Sequence, residues 1–427
     1  MASHLQVLQI ALIILAAAHG VHSKDKILLV LSDGMRWDLF GNDLPTFKYI
    51  EEMGVKAEYL IPVFPTMSLP NMYTIATGLY AESHGAIHNL AFDAETGNRT
   101  LTYSASLTVQ KWFDTGAEPI WVTAIQQGLT AGTMRYPGGD VSIKGIRPTR
   151  VNSSEEIPFT SKMDMAIDWL KKDDLDLVMT YFGEPDDKLH KFGVGSARAN
   201  NSLKIIDDLL KHMLDRLKEE DMLDYVNIII TADHGFHNYV YKNYIELNSY
   251  VRRDDMDFMM ANYGPTFQLL PKQDKMNEVY NNLKHAHEHM HVYWKEELPQ
   301  HFHYSNNDRI LPIVGYVDLT WHVHTAWKKV NSVIGDHGFD NHEQSMQPIF
   351  YAMGPRFKKN HISAPFEGVD IYPMMCEILN LDPAPNNGSR DRWGDVMETG
   401  NNSATRLNIN VRNVFITALV LISLFYQ

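Results

Sequence analysis

Cysteine is almost missing from this chain. Cys376 stands alone among 427 residues, so no internal disulfide can form. It falls within the apolar pattern Val369 to Leu381 and reads as a buried core thiol. Positive charge is scarce too: 38 Lys and Arg against 52 Asp and Glu leave a formal net charge of -14. Nucleic acid and anionic membrane surfaces would both be repelled, whereas a small anionic substrate held by metal is not excluded. Internal repeats, low-complexity blocks and Pro/Gly linkers are absent. What remains is 44% hydrophobic and 21% charged, the profile of a globular protein long enough for one large core or two domains.

Long apolar runs occur only at the two ends. Residues 1–23 carry the run Val7 to Ala18 without any Lys or Arg before it, then small and polar residues, which fits a secretory signal cleaved between Gly20 and Lys24. Five Asn-x-Ser/Thr sequons, at Asn98, Asn152, Asn200, Asn387 and Asn401, agree with export. A catalytic domain over 24–395 is followed by a spacer and hydrophobic tail over 396–427. The run Val414 to Tyr426 makes a helix of roughly 20 Å, short of the roughly 30 Å hydrocarbon core. Small residues near Gly400 to Ser403, a polar spacer and the short tail fit a glycolipid-anchor signal better than a membrane span. The expected location is the extracellular cell surface.

Between the ends the pattern is α/β. Lys26 to Leu31, Leu175 to Phe182, Val226 to Thr231 and Pro348 to Met353 are short apolar runs, as in strands buried on both faces of a parallel sheet. Helical patterns separate them; Leu203 to Leu217 places Ile206, Leu209, Leu210, Met213, Leu214 and Leu217 at a 3.6-residue period. The expected architecture is a mostly parallel central sheet with helices on both faces.

Chemistry-bearing residues gather at the predicted strand ends. Asp33 follows the first strand, Asp186 and His190 a second, Asp233 and His234 a third, and Gly335-Asp336-His337-Gly338 adds another His-Gly step. Ligands of open α/β sheets bind at the carboxyl ends of strands, so these segments can converge. Three carboxylates and three imidazoles, with no thiolate, suit two zinc ions with coordination places to spare. The stretch Pro65-Thr66-Met67-Ser68-Leu69-Pro70-Asn71 frames one hydroxyl with prolines and predicts a rigid loop that presents Ser68. A serine hydroxyl needs a base or a metal to become a nucleophile, and no Gly-x-Ser-x-Gly elbow surrounds this one.

Phe64 to Asn71, Glu184-Pro185-Asp186-x-x-x-His190, Asp233-His234-Gly235 and His337-Gly338-Phe339-Asp340 resemble the ectonucleotide pyrophosphatase/phosphodiesterase family of the alkaline phosphatase superfamily, from about Lys26 to Arg392. Tyr136-Pro137-Gly138-Gly139, Tyr181 to Asp186 and Tyr263-Gly264-Pro265 are most similar to its choline-phosphodiesterase members, alkaline sphingomyelinase among them. The resemblance implies one zinc held by Asp33, Asp233, His234 and the nucleophile Ser68, and another by Asp186, His190 and His337. It places Asn89 where the family has an asparagine that hydrogen-bonds a phosphate oxygen. Ser68 would attack phosphorus in line, and water would then hydrolyse a phospho-Ser68 intermediate.

The implied substrates are choline phospholipids such as sphingomyelin and lysophosphatidylcholine, cleaved to phosphocholine. Nucleotide-cleaving relatives place an aromatic residue after the nucleophile, whereas this chain has Leu69. By motif position Tyr136, Phe258 and Phe159 are candidates for an aromatic cage around trimethylammonium. Arg135 stands where close relatives carry another aromatic, and a cation turned into the pocket would favour an anionic or uncharged headgroup. A nucleotide phosphodiesterase or pyrophosphatase on the same scaffold is the alternative. The tract His285-x-His287-x-His289-x-His291 and the pair Asp254-Asp255 read as locally packed or solvated segments.

Overall fold

The computed structural model describes residues 25–39, 44–325 and 334–398. The expected signal over 1–23, Asn401 and the apolar tail lie outside the described residues. Among the described residues no helix is long and apolar enough to cross a membrane.

The strands that matter are β1 (Lys26–Ser32), β2 (Val55–Ala57), β3 (Ala131–Met134), β4 (Arg150–Asn152), β5 (Leu177–Phe182), β6 (Val226–Thr231), β7 (Met256–Met260), β8 (Thr266–Pro271), β9 (Met290–Trp294), β10 (Ile313–Val317), β11 (Phe350–Met353) and β12 (His361–Ser363). Eight of them form the central sheet in the order β12-β2-β11-β6-β1-β5-β3-β4. The helices are α1 (Pro45–Met53), α2 (Ser68–Thr77), α3 (Phe159–Lys171), α4 (Asp186–Phe192), α5 (Ala197–Glu219), α6 (Met276–Lys284) and α7 (Ile371–Leu379).

Every residue of β1 is buried, and its side chains divide between the two faces. Ile27, Leu29 and Leu31 join one apolar cluster, with residues of α2 and α7, while Leu28 and Val30 join another, with residues of α1, α3 and α5. That is the period-two consequence of a strand covered on both sides. Helix α5 starts where the Ser196 hydroxyl accepts the Ala199 N–H, and Leu203, Ile206, Leu210, Met213 and Leu217 line its buried face. Asp207 on that helix accepts the backbone N–H groups of Thr46 and Phe47 and so satisfies the start of α1.

One expectation needs correction. The run Pro348 to Met353 does form a strand, but β11 lies antiparallel to both β6 and β2. An apolar run carries no direction. The reversal has a consequence for the site: the segment entering β11 lies at the same edge as the carboxyl ends of β1, β5 and β6, so His337 arrives there from the opposite chain direction.

The second sheet, in the order β7-β8-β10-β9, packs its own apolar cluster with α6. The histidine tract belongs to this lobe and is locally packed: His289 and His291 bond the two carboxylate oxygens of Asp318 at 2.9 and 2.6 Å and stack on Trp321 and Tyr316. Cys376 is buried in α7, and burial pushes its thiol up to about 12. Val396 and Met397, placed by sequence in the spacer, are buried core residues.

Candidate metal centre

Ser68 is not on a loop. It is the first residue of α2, with Pro70 in the first turn, where a missing N–H costs the helix nothing. The prolines mark a helix start, and Ser68 is 5% exposed. The approach to it is stitched down. Asn71 accepts the Val63 N–H at 2.7 Å and donates to the carbonyls of Val63, Pro65 and Met67. Asn89 supplies what the helix lacks at its start, accepting the Leu69 N–H at 2.7 Å, while its amide nitrogen donates to Tyr263 Oη at 3.3 Å.

Two groups of potential metal ligands flank this helix start: Asp33, Asp233 and His234, and Asp186, His190 and His337, with the ligand atoms in each group within 4.8 Å of one another. In the first, His234 Nε2 lies 3.4 Å from Asp33 Oδ1 and 3.5 Å from Asp233 Oδ2. Asp233 Oδ1 is fixed by the N–H groups of Gly34 and His234, and Asp33 Oδ2 accepts the Tyr181 hydroxyl at 2.6 Å. In the second, Asp186 Oδ2 lies 3.4 Å from His190 Nε2 and Asp186 Oδ1 lies 3.8 Å from His337 Nε2. The groups adjoin, since His234 and His337 stack with ring centroids 3.5 Å apart. Gly34 lets them do so: its φ is +69°, and a Cβ there would meet Asp186 Cβ at 3.0 Å.

The donor set fits cations. Nδ1 of His190, His234 and His337 donates to the backbone carbonyls of Gly335, Gly235 and Thr66, which fixes the tautomers and turns each bare Nε2 lone pair toward the acids. Asp33 Oδ1, Asp233 Oδ2 and Asp186 Oδ1 are buried without a hydrogen-bond partner. Lone pairs facing carboxylates repel unless a cation lies between them. Burial, with the Asp233 charge adding to it, holds the Asp33 carboxyl well above its usual range; burial raises Asp186 to about 7 and Asp233 to about 6. Burial pulls His234 down to about 3 and, with the neighbouring His234, holds His337 well below the usual range. Burial would also lower His190, but the charges of Asp186 and Asp336 outweigh it and raise it.

The Ser68 hydroxyl donates to His234 Nε2 at 3.2 Å, which aligns Oγ with the first ligand group. Burial holds that imidazole at about 3, which makes it a weak base near neutrality.

The aromatic candidates divide between the two sheet faces, Tyr136 and Phe258 in one apolar cluster and Phe159 against the other. Tyr136 is 2% exposed, meets Trp121 edge-on, and donates its hydroxyl to the Met72 carbonyl. Phe159 begins α3 and packs on Phe182 in the apolar cluster of the other sheet face. Phe258 is 6% exposed and stacks on Phe92. Arg135 places its guanidinium 5.5 Å from the Tyr181 ring centroid and pairs with Glu155 at 2.6 Å. Tyr181, Tyr263, Asn71 and Asp336, given no individual role by sequence reasoning, all touch the centre or its supports; only the position of Tyr181 at the end of a predicted strand hinted at this.

The sequence matches the family model described as type I phosphodiesterase / nucleotide pyrophosphatase over residues 27–340. It is 37% identical over 395 residues to ectonucleotide pyrophosphatase/phosphodiesterase family member 7 of Mus musculus, covering 90% of each chain. It is 36% identical to the Homo sapiens bis(5'-adenosyl)-triphosphatase of the same family, covering 85% of this chain and 80% of that one. Among solved structures, an inactive variant of murine ectonucleotide pyrophosphatase/phosphodiesterase 5 in complex with AMP superposes with a TM-score of 0.83 at 34% identity, covering 88% of this chain and all of that chain.

Proposed function

The chain belongs to the type I phosphodiesterase / nucleotide pyrophosphatase family, and from that premise we propose that it is an extracellular, zinc-dependent phosphodiesterase that releases phosphocholine from choline phosphodiesters such as sphingomyelin and lysophosphatidylcholine. The observation that carries the hydrolytic reading is the pair of ligand groups with orphaned carboxylate oxygens beside Ser68. Asp33, Asp233, His234 and Ser68 would hold one zinc ion, and Asp186, His190 and His337 the other. Bound there, the ions supply charge neutralisation and Lewis-acid activation of the hydroxyl and the leaving oxygen. Two dications against three carboxylates leave one positive charge, which a phosphodiester monoanion balances.

Ser68 Oγ attacks phosphorus, the bond to the leaving oxygen breaks, and phospho-Ser68 results. Water then attacks phosphorus, freeing the phosphorylated half and restoring Ser68. The Asn89 amide nitrogen donates to a non-bridging oxygen, and the positive end of α2 faces the charge that develops there. The choline assignment rests on the member 7 relatives and on Leu69, which is fully buried and offers no ring to a base. An anchor in the apolar run Val414 to Tyr426 would hold the enzyme at the membrane surface that carries such lipids.

A nucleotide substrate is the second reading, favoured by the separation of Phe159 from Tyr136 and Phe258, by the guanidinium over Tyr181, and by the AMP complex of the murine relative. Product analysis on sphingomyelin, lysophosphatidylcholine, glycerophosphocholine and a nucleotide diester, with Ser68→Ala as control, separates the two. Phosphocholine release that vanishes in Ser68→Ala supports the first reading. Nucleotide cleavage alone moves the substrate to the second, and no turnover by the zinc-loaded protein sinks both.

A further inference from the structure

Asp336 stands beside the second ligand group, yet the reaction above gives it nothing to do. Its Oδ1 lies 3.8 Å from His190 Nδ1 and 3.9 Å from His337 Nε2, and accepts the His337 backbone N–H at 2.9 Å. Its Oδ2 accepts the hydroxyl of Tyr239 at 3.1 Å. Both partners are held by one short antiparallel ladder that pairs His237 with Asp336 and Asn238 with Gly335, extended by the Tyr239 N–H to the Ile334 carbonyl. The same ladder presents the Gly335 carbonyl to His190 Nδ1. One small element therefore orients the His190 imidazole through the Gly335 carbonyl, holds the backbone of His337, and sets a fourth carboxylate within 4 Å of a nitrogen of each ring.

The first ligand group is supported differently. There Tyr181 donates directly to Asp33, a ligand candidate. Here the tyrosine donates to Asp336, and the carboxylate in turn faces the histidines. Both rings give their Nδ1 protons to backbone carbonyls, so Asp336 acts on them through its charge at just under 4 Å, which favours a cation beside the rings.

We propose that Asp336, held by Tyr239, is a positioning residue that strengthens and selectively tunes metal binding at the Asp186, His190, His337 group. The inference rests on the two-metal reading of the site. It predicts an asymmetry that a purely structural carboxylate would not produce, because removing one negative charge from a crowd of acids relieves repulsion in the metal-free protein while weakening the hold on a cation.

The test is a zinc titration of metal-stripped full-length protein against a competing chelator, for wild type, Asp336→Asn and Tyr239→Phe, with the melting temperature of each metal-free protein alongside. Asp336→Asn should bind one zinc roughly 10- to 100-fold more weakly and the other unchanged, with a metal-free melting temperature no lower than that of wild type. Tyr239→Phe should shift the same zinc in the same direction by less. Unchanged affinity of both zinc ions in Asp336→Asn overturns the proposal, as does equal weakening of both with a lowered metal-free melting temperature. Wild type binding fewer than two zinc ions would instead sink the two-metal reading from which the proposal starts.

Discussion

The two halves of the centre are built from different material. Asp33, Asp233 and His234 follow directly on β1 and β6, neighbouring strands in the middle of the sheet, and His234 and Asp233 have no exposed side-chain surface. Asp186 and His190 lie on α4, a single short helix, with side chains 14% and 26% exposed, and His337 comes in on the segment that enters the reversed strand β11. The deep half touches Ser68, while in the shallower half only His337 is buried outright. The difference lies in the support: strand ends in the middle of the sheet hold the ligand group that touches Ser68, and a helix turn with an outer ladder holds the other.

The largest effect should come from the atom that joins the deep half to the chemistry. Ser68→Ala should lower kcat by about 10³-fold or more while both zinc ions stay bound. Steady-state kinetics with elemental analysis checks this. A variant that keeps wild-type turnover would detach Ser68 from the reaction altogether.

Next comes the contrast between halves. Asp233→Asn removes a ligand whose other oxygen is held by two backbone N–H groups, and Asp186→Asn removes one from the shallower half. Each should weaken its own zinc by more than the roughly 10- to 100-fold typical of outer-shell changes. Only Asp233→Asn should also lower the melting temperature of the zinc-loaded protein markedly, because its site lies in the core. Equal thermal effects would erase the comparison.

Acid should work through the carboxylates and the His190 imidazole. Ligands must be deprotonated to bind metal, and those with raised values, the His190 imidazole and the Asp33, Asp186 (about 7) and Asp233 (about 6) carboxyls, compete with protons first, whereas His234 at about 3 does not compete near neutrality. Zinc affinity should therefore fall as pH drops below about 7 and level off above it, as read by chelator competition across pH. A profile flat down to pH 5 would contradict this cause.

The smallest effect concerns substrate choice. Arg135→Ala removes the cation over Tyr181, and the preference for choline over nucleotide diesters should rise roughly five- to tenfold, in keeping with a charge contribution of about 1 kcal/mol. An unchanged ratio would show that Arg135 serves only its pair with Glu155.

Much of this was legible in sequence because the signals were redundant. Strands buried on both faces read as unbroken apolar runs, and Asp33, Asp186 and Asp233 come soon after three of them, so the sheet and its candidate ligands could be read together, while their division into two groups came from the family resemblance. Direction was not legible, since Phe350-Tyr351-Ala352-Met353 reads the same whichever way β11 runs. The Pro65 and Pro70 pair suited a loop or a helix start equally, and the Asn71 and Asn89 hydrogen bonds that decide for the helix depend on tertiary contacts. Tyr136 and Phe159 failed to gather for a related reason: what surrounds an aromatic ring is fixed by packing, and motif position says nothing about which sheet face or core layer it enters. Asp336 and Tyr239 lie 97 residues apart and meet only through their short ladder.

The most direct measurement of the central claim is the zinc stoichiometry of metal-stripped wild-type protein by calorimetric titration. Two equivalents per chain, falling to one when His190→Ala removes the shallow half, is the predicted result. A single equivalent in wild type, or two that persist in His190→Ala, would contradict a centre made of two unequal metal-binding halves beside Ser68.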